Sequence, residues 1–155
     1  EIPWSVRERL VALGGGVPGA RWQTAEQLHL TLRFIGEVEG NVANDIDDAL
    51  SLIRAPAFTL EIAGVGEFGG KTPRALWAGV RPNEALNHLQ RKIETALQRI
   101  GLPPEERKFS AHVTLARLKS IATELKDASG EPGLDAVLAE IELRVEVEIA
   151  KLTPR

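Results

Sequence analysis

The chain has 155 residues, 43% apolar and 26% charged, with 19 basic and 22 acidic side chains and a net charge of −3. This composition fits one soluble globular domain with a substantial core. It gives no support for broad electrostatic binding along a nucleic acid, although a few local cations would suffice for a small anion. The absence of cysteine excludes disulfides, thiol catalysis and thiolate metal sites, and is compatible with a reducing, cytoplasmic setting. No apolar run is long enough to cross a bilayer, no signal-peptide pattern opens the chain, and the start at Glu1 leads us to expect trimmed ends.

In chain order, residues 4–13 read as a short helix with Val6, Leu10 and Leu13 on one face, ended by Gly14-Gly15-Gly16. Those glycines read as a turn, because no Gly-Lys-Ser/Thr follows to make a phosphate loop. Residues 28–35 alternate as a half-buried strand, with Leu28, Leu30, Leu32 and Phe34 on one face and His29, Thr31 and Arg33 on the other. A helix is expected over 41–54, capped by Asn41, with Val42, Ile46, Ala49, Leu50 and Ile53 as its apolar stripe. On it, Asp45, Asp47 and Asp48 read as a solvated face, and no metal is expected there.

After Pro56 comes a strand with Phe58, Leu60 and Ile62 inward, then a glycine-rich stretch over 64–70 and a buried strand over 75–80. Residues 83–100 carry the most regular helical stripe, with Leu86, Leu89, Ile93, Ala96, Leu97 and Ile100, stopped by Gly101 and Pro103. A second alternating strand covers 111–118, followed by a short helix near 133–141 and a last strand over 142–150. With no low-complexity linker, one domain is expected.

The chemistry lies in a repeated pattern. His29-Leu30-Thr31-Leu32 and His112-Val113-Thr114-Leu115 both read His, apolar, Thr, Leu, and they use two of the three histidines in the chain. The third, His88, sits at the edge of a helical stripe and reads as a surface or boundary residue. On a strand, i and i+2 point the same way, so each motif presents an imidazole beside a hydroxyl while Leu30 or Val113 anchors the core. Brought together, the segments would surround a phosphoryl group. Thr31 and Thr114 would donate to its oxygens, and the histidines would serve as acid and base, roles suited to a side chain that titrates near neutrality. Zinc binding by two histidines lacks a third ligand, and a Ser-His-Asp hydrolase lacks its G-x-S-x-G turn.

The segments LHLTLRFIGEV (28–38) and FSAHVTLARL (109–118) resemble the two signature motifs of the 2H phosphoesterase superfamily, and more narrowly the RNA 2′,3′-cyclic phosphodiesterases, also called 2′-5′ RNA ligases. PGARW (18–22), ALWAGV (75–80) and the terminal LTPR extend the likeness. The resemblance implies an α+β, bilobal, pseudo-symmetric fold in which two antiparallel sheets form a central cleft flanked by helices. It also implies metal-independent opening of an RNA terminal 2′,3′-cyclic phosphate to a 2′-phosphomonoester, and ligation at the same site in reverse.

On that likeness His29 would be the acid, His112 the base, and Thr31, Thr114 and Arg117 the phosphate-binding residues. Regular alternation instead points Arg117 away from the site and Arg33 toward it, and a bulge or strand end would be needed to redirect Arg117. No cofactor is expected. The expected partner is RNA with a 2′,3′-cyclic phosphate end or a small cyclic-phosphate nucleotide, bound by a monomer with no membrane contact. The alternatives are a non-catalytic module that binds nucleotides or RNA ends, and a phosphodiesterase acting on small cyclic nucleotides. Phe34, Phe68 and Trp77 are candidates for base recognition, although Trp77 lies in a strand that reads as core. Three departures stand out: the chain begins after the strand with which the family usually opens, it stops at LTPR where the family strand normally continues, and Ala111 stands where proline is common.

Overall fold

Helix α1, Trp4–Ala12, forms on the expected stripe and buries Val6 and Leu10; backbone bonds from Leu13 and Gly14 to Leu10 and Val11 close it at the glycine run. The computed structural model describes residues 1–118 and the backbone of a strand at Glu142–Val147. The helix expected near 133–141 and the end of the last strand lie outside the described residues. The remaining elements are β1 (Ala20–Trp22), a single 3-10 turn (Ala25–Gln27), α2 (Gly40–Ser51), β2 (Phe58–Phe68), β3 (Ala75–Val80), α3 (Glu84–Arg99), β4 (His112–Leu118) and β5 (Glu142–Val147).

The strands form one five-stranded sheet in the order β1-β4-β3-β2-β5, with every pairing antiparallel. The helices and antiparallel strands agree with the α+β expectation, but among the described residues the strands share a single sheet and two separate sheets are not seen. One face carries the core: Ile2, Val6, Leu10, Leu28, Ile62, Ala78, Val113 and Leu115 form a continuous buried cluster, with Trp22 and Leu30 packed against it. Helix α3 buries Leu86, Leu89 and Leu97. Its N-cap Asn83 accepts from the Leu86 amide at 2.9 Å and donates to the Thr59 carbonyl at 2.9 Å, tying the helix to β2.

Three local expectations need correction. Residues 28–35 do not form a ladder strand; after the 3-10 turn at Ala25–Gln27 their strand pairing is a single bridge between Leu30 and Val113. The break in pairing ends the alternation, and Phe34, expected inward, is 76% exposed. Helix α2 starts earlier than expected, with Glu39 rather than Asn41 at its N-cap. Strand β2 runs through the glycine stretch to Phe68, with a register shift between Ile62 and Val65 around Gly64, whose φ is +75°.

Candidate active site

The Leu30–Val113 bridge sets the site. In antiparallel pairing the residues flanking a bridge face each other in reverse order, so His29 stands opposite Thr114 and Thr31 opposite His112. Val113 is fully buried and Leu30 packs on the core cluster, which leaves all four polar side chains on the other face. Directly opposite positions bring Cβ atoms to about 4.5–5.5 Å and diagonal ones to about 7–8 Å. By this register each histidine lies across from the other motif's threonine and diagonal to the other histidine.

Each imidazole is held in the same way. Nδ1 of His29 lies 2.7 Å from the Gln27 carbonyl oxygen, and Nδ1 of His112 lies 2.8 Å from that of Ser110. A carbonyl only accepts, so Nδ1 carries the proton in both bonds and Nε2 is left to exchange one with a ligand. The Gln27 side chain also shapes the approach to His29, since its Oε1 accepts from the Thr24 amide at 3.0 Å and closes the turn that delivers the histidine. The two backbone acceptors are both two residues upstream of their histidine. Side-chain patterning gave no sign of them.

Arg117 also lies on this face, against plain alternation. Thr114 pairs with Trp77 and Ala116 with Leu76, so β4 holds one extra residue, Leu115, where β3 has none. Leu115 and Ala116 are consecutive and both buried, at 4% and 0% exposure. The bulge flips the parity of the residues after it and returns Arg117, five positions after His112, to the side of His112 and Thr114.

Arg33, which alternation aimed at the site, is engaged elsewhere. Its Nη1 donates to Glu105 at 2.9 Å and its Nη2 to the Pro103 carbonyl at 2.6 Å. Its Nε lies 3.1 Å from Glu94, near enough for an ion pair though off the line of a hydrogen bond. The Arg33 side chain is 9% exposed, so this clamp joins the first motif to α3 and to the loop leading into the second motif.

For Glu94, burial is the largest influence and raises the pKa, but it is outweighed by hydrogen bonds from the Gln98 side chain and the Glu105 amide together with the charge of Arg33. The carboxyl is held below its usual range. The Arg107 amide, followed by Arg33, lowers Glu105 against a smaller opposing effect of burial.

An aromatic wall flanks His112. The Phe68 ring meets its imidazole edge-on at 4.8 Å, and Trp77 lies 6.2 Å from the imidazole and 5.4 Å from Phe68. Trp77 is half-buried, and Phe68 is 41% exposed. Glycines leave the indole room: a Cβ on Gly66 would sit 2.5 Å from Cη2 of Trp77, and one on Gly79 would sit 3.3 Å from its Cζ3.

His88 is exposed on α3 and lines a groove of about 1020 Å³ between α2 and α3 that contains none of the four motif residues. Asp45, Asp47 and Asp48 stand exposed on α2, and no group of three or more metal-ligating side chains forms among the described residues. Among those residues, too, no helix is long and apolar enough to cross a membrane.

Paired His-x-Thr segments facing one another across an α+β scaffold are the arrangement of the 2H phosphoesterase fold. The model of the 2′-5′ RNA ligase superfamily matches residues 16–151, and the chain belongs to that family. It is 42% identical over 96 residues to the RNA 2′,3′-cyclic phosphodiesterase of Aeropyrum pernix, covering 61% of this chain and 54% of that protein. It is 30% identical over 131 residues to the RNA 2′,3′-cyclic phosphodiesterase of Archaeoglobus fulgidus, covering 82% of this chain and 74% of that protein. The crystal structure of E. coli LigT complexed with 3′-AMP matches with a TM-score of 0.68 at 27% identity, over 94% of this chain and 79% of that one. The chain spans about half the length of the Aeropyrum relative.

Proposed function

We propose that the protein is a cytoplasmic, metal-independent hydrolase that opens the 2′,3′-cyclic phosphate at an RNA end to a 2′-phosphomonoester. The observation that carries this reading is the pairing of Leu30 with Val113, which supports gathering the two imidazoles and two hydroxyls around one small volume. The reaction starts with His29 protonated and His112 neutral. Nε2 of His112 takes a proton from water as the water oxygen bonds to phosphorus. The bond from phosphorus to O3′ breaks, and Nε2 of His29 gives its proton to that oxygen, leaving a free 3′-hydroxyl and a 2′-phosphate. Diagonal placement suits in-line displacement, because the attacking and departing oxygens lie on opposite sides of phosphorus.

Thr31 and Thr114 donate to the non-bridging oxygens, and Arg117 adds positive charge where negative charge grows. Phe68, exposed beside His112, offers a ring on which the terminal base can stack. With a 5′-hydroxyl in place of water, the same groups would form a 2′-5′ linkage. The Nδ1 bonds favour proton transfer over binding alone, since they reserve both Nε2 atoms for the ligand.

The test is to incubate the protein, in EDTA, with an oligonucleotide ending in a 2′,3′-cyclic phosphate and to identify the product isomer. We expect a 2′-phosphate, with His29→Ala and His112→Ala each lowering turnover by about 100-fold or more while the fold is retained. A 3′-phosphate product, loss of activity on chelation, or full activity in either variant would overturn the reading.

A further inference from the structure

The site face carries a second cation that the cyclic phosphate does not need. In the ladder between β1 and β4, Arg21 stands directly opposite Arg117. Its neighbour Trp22 pairs with Ala116 and packs on the core cluster, so Arg21 lies on the side of Arg117, Thr114 and His112. Both arginines are exposed. Neither side chain has a hydrogen bond or ion pair among the described residues, which leaves both guanidinium groups open to a ligand. Like charges directly opposite on one sheet face repel. An anion seated between them removes that repulsion, and a guanidinium presents the planar donor fork that suits a phosphate.

Position identifies the anion. Arg117 lies three residues beyond Thr114, which at about 3.3 Å per residue is roughly 7–10 Å along β4, or about one sugar-phosphate repeat away from the group held by the histidines and threonines. We propose that Arg21, with Arg117, binds the phosphodiester on the 5′ side of the terminal nucleotide. The preferred substrate is then an RNA chain of at least two nucleotides rather than a cyclic mononucleotide. This inference rests on the proposed phosphodiesterase reading and adds to it the residue that holds the neighbouring phosphate. Arg117 stands on β4 with His112 and Thr114, whereas Arg21 stands across from it on β1.

The test compares a 2′,3′-cyclic mononucleotide with a dinucleotide ending in the same cyclic phosphate, and with that dinucleotide carrying a neutral methylphosphonate linkage. The wild type should favour the charged dinucleotide in kcat/KM by at least about 10-fold, the lower range for one charge-assisted contact. Arg21→Ala should remove most of that preference while leaving the mononucleotide within about twofold, and Arg21→Lys should restore part of it. Equal kcat/KM for the charged and neutral dinucleotides would overturn the subsite, as would an Arg21→Ala loss that is the same for both substrate lengths.

Binding keeps the two readings apart. The dinucleotide carrying a terminal 2′-phosphate should bind more tightly than the 2′-phosphorylated mononucleotide, and Arg21→Ala should abolish the difference. If that holds without hydrolysis, the subsite stands and the catalytic reading fails. If hydrolysis proceeds with no dependence on length, the reverse is true.

Discussion

Replacing Arg33 by Met tests how the first motif is held. The segment bearing His29 and Thr31 has one bridge to the sheet, and its other strong tie is the Arg33 clamp to Glu94, Glu105 and the Pro103 carbonyl. Methionine keeps much of the apolar length and removes the charge. The Arg33 and Glu94 side chains are 9% and 18% exposed, so the loss approaches that of breaking a buried pair from one side, about 3–5 kcal/mol, reduced by partial access to water to about 2–4 kcal/mol. For a chain of this size that lowers the melting temperature by roughly 5–15 °C.

Thermal unfolding followed by circular dichroism measures this directly, with Arg33→Lys expected between the two because a single ammonium cannot reproduce the fork. Turnover of the cyclic phosphate, measured well below the melting temperature, should fall by about 10–100-fold in kcat. The motif would no longer be pinned on its far side, and a displacement of about 1 Å is enough for such a loss. A melting temperature within 2 °C of wild type, with kcat unchanged, would refute the clamp as a positioning device.

The clamp also has a pH signature. Glu94 and Glu105 are held below the usual 4.5 in the folded state, so their contribution is fully present above pH 4.5 and is lost as pH falls through the folded values. The melting temperature should drop more steeply below pH 4.5 in wild type than in Glu94→Gln. Gly66→Ala would drive a methyl into the Trp77 indole, at a cost of about 1–3 kcal/mol read as a lower urea midpoint, and the displaced ring should shift the His112 imidazole resonances. Asn83→Ala removes the cap of α3, costing about 1 kcal/mol and lowering the melting temperature by about 2–4 °C.

Regular periodicity carried much of the fold into the sequence. The stripe of Leu86, Leu89 and Leu97 marks α3 to within a residue of its observed limits, and the alternation of His112, Val113, Thr114 and Leu115 marks β4. Periodicity failed where a contact outside the segment decides its course. Residues 28–35 alternate like a strand, yet the turn before them leaves one bridge and no ladder to impose a parity on Phe34. Strand β2 continues through Gly64 and Gly66 because β3 pairs with it from Val65 to Phe68, a support that the glycines by themselves do not reveal.

The residue types of the site were legible because the chemistry is local: a histidine and a threonine two apart on extended chain share a face whatever surrounds them. Which motif residue faces which is a matter of register, and register is set between segments. Only the tertiary structure could place His29 opposite Thr114, spend Arg33 on two carboxylates, or insert Leu115 as the extra residue that turns Arg117 back toward the histidines. It alone brought Arg21 beside Arg117, since residues 96 positions apart in the chain (117 − 21) meet only through strand pairing.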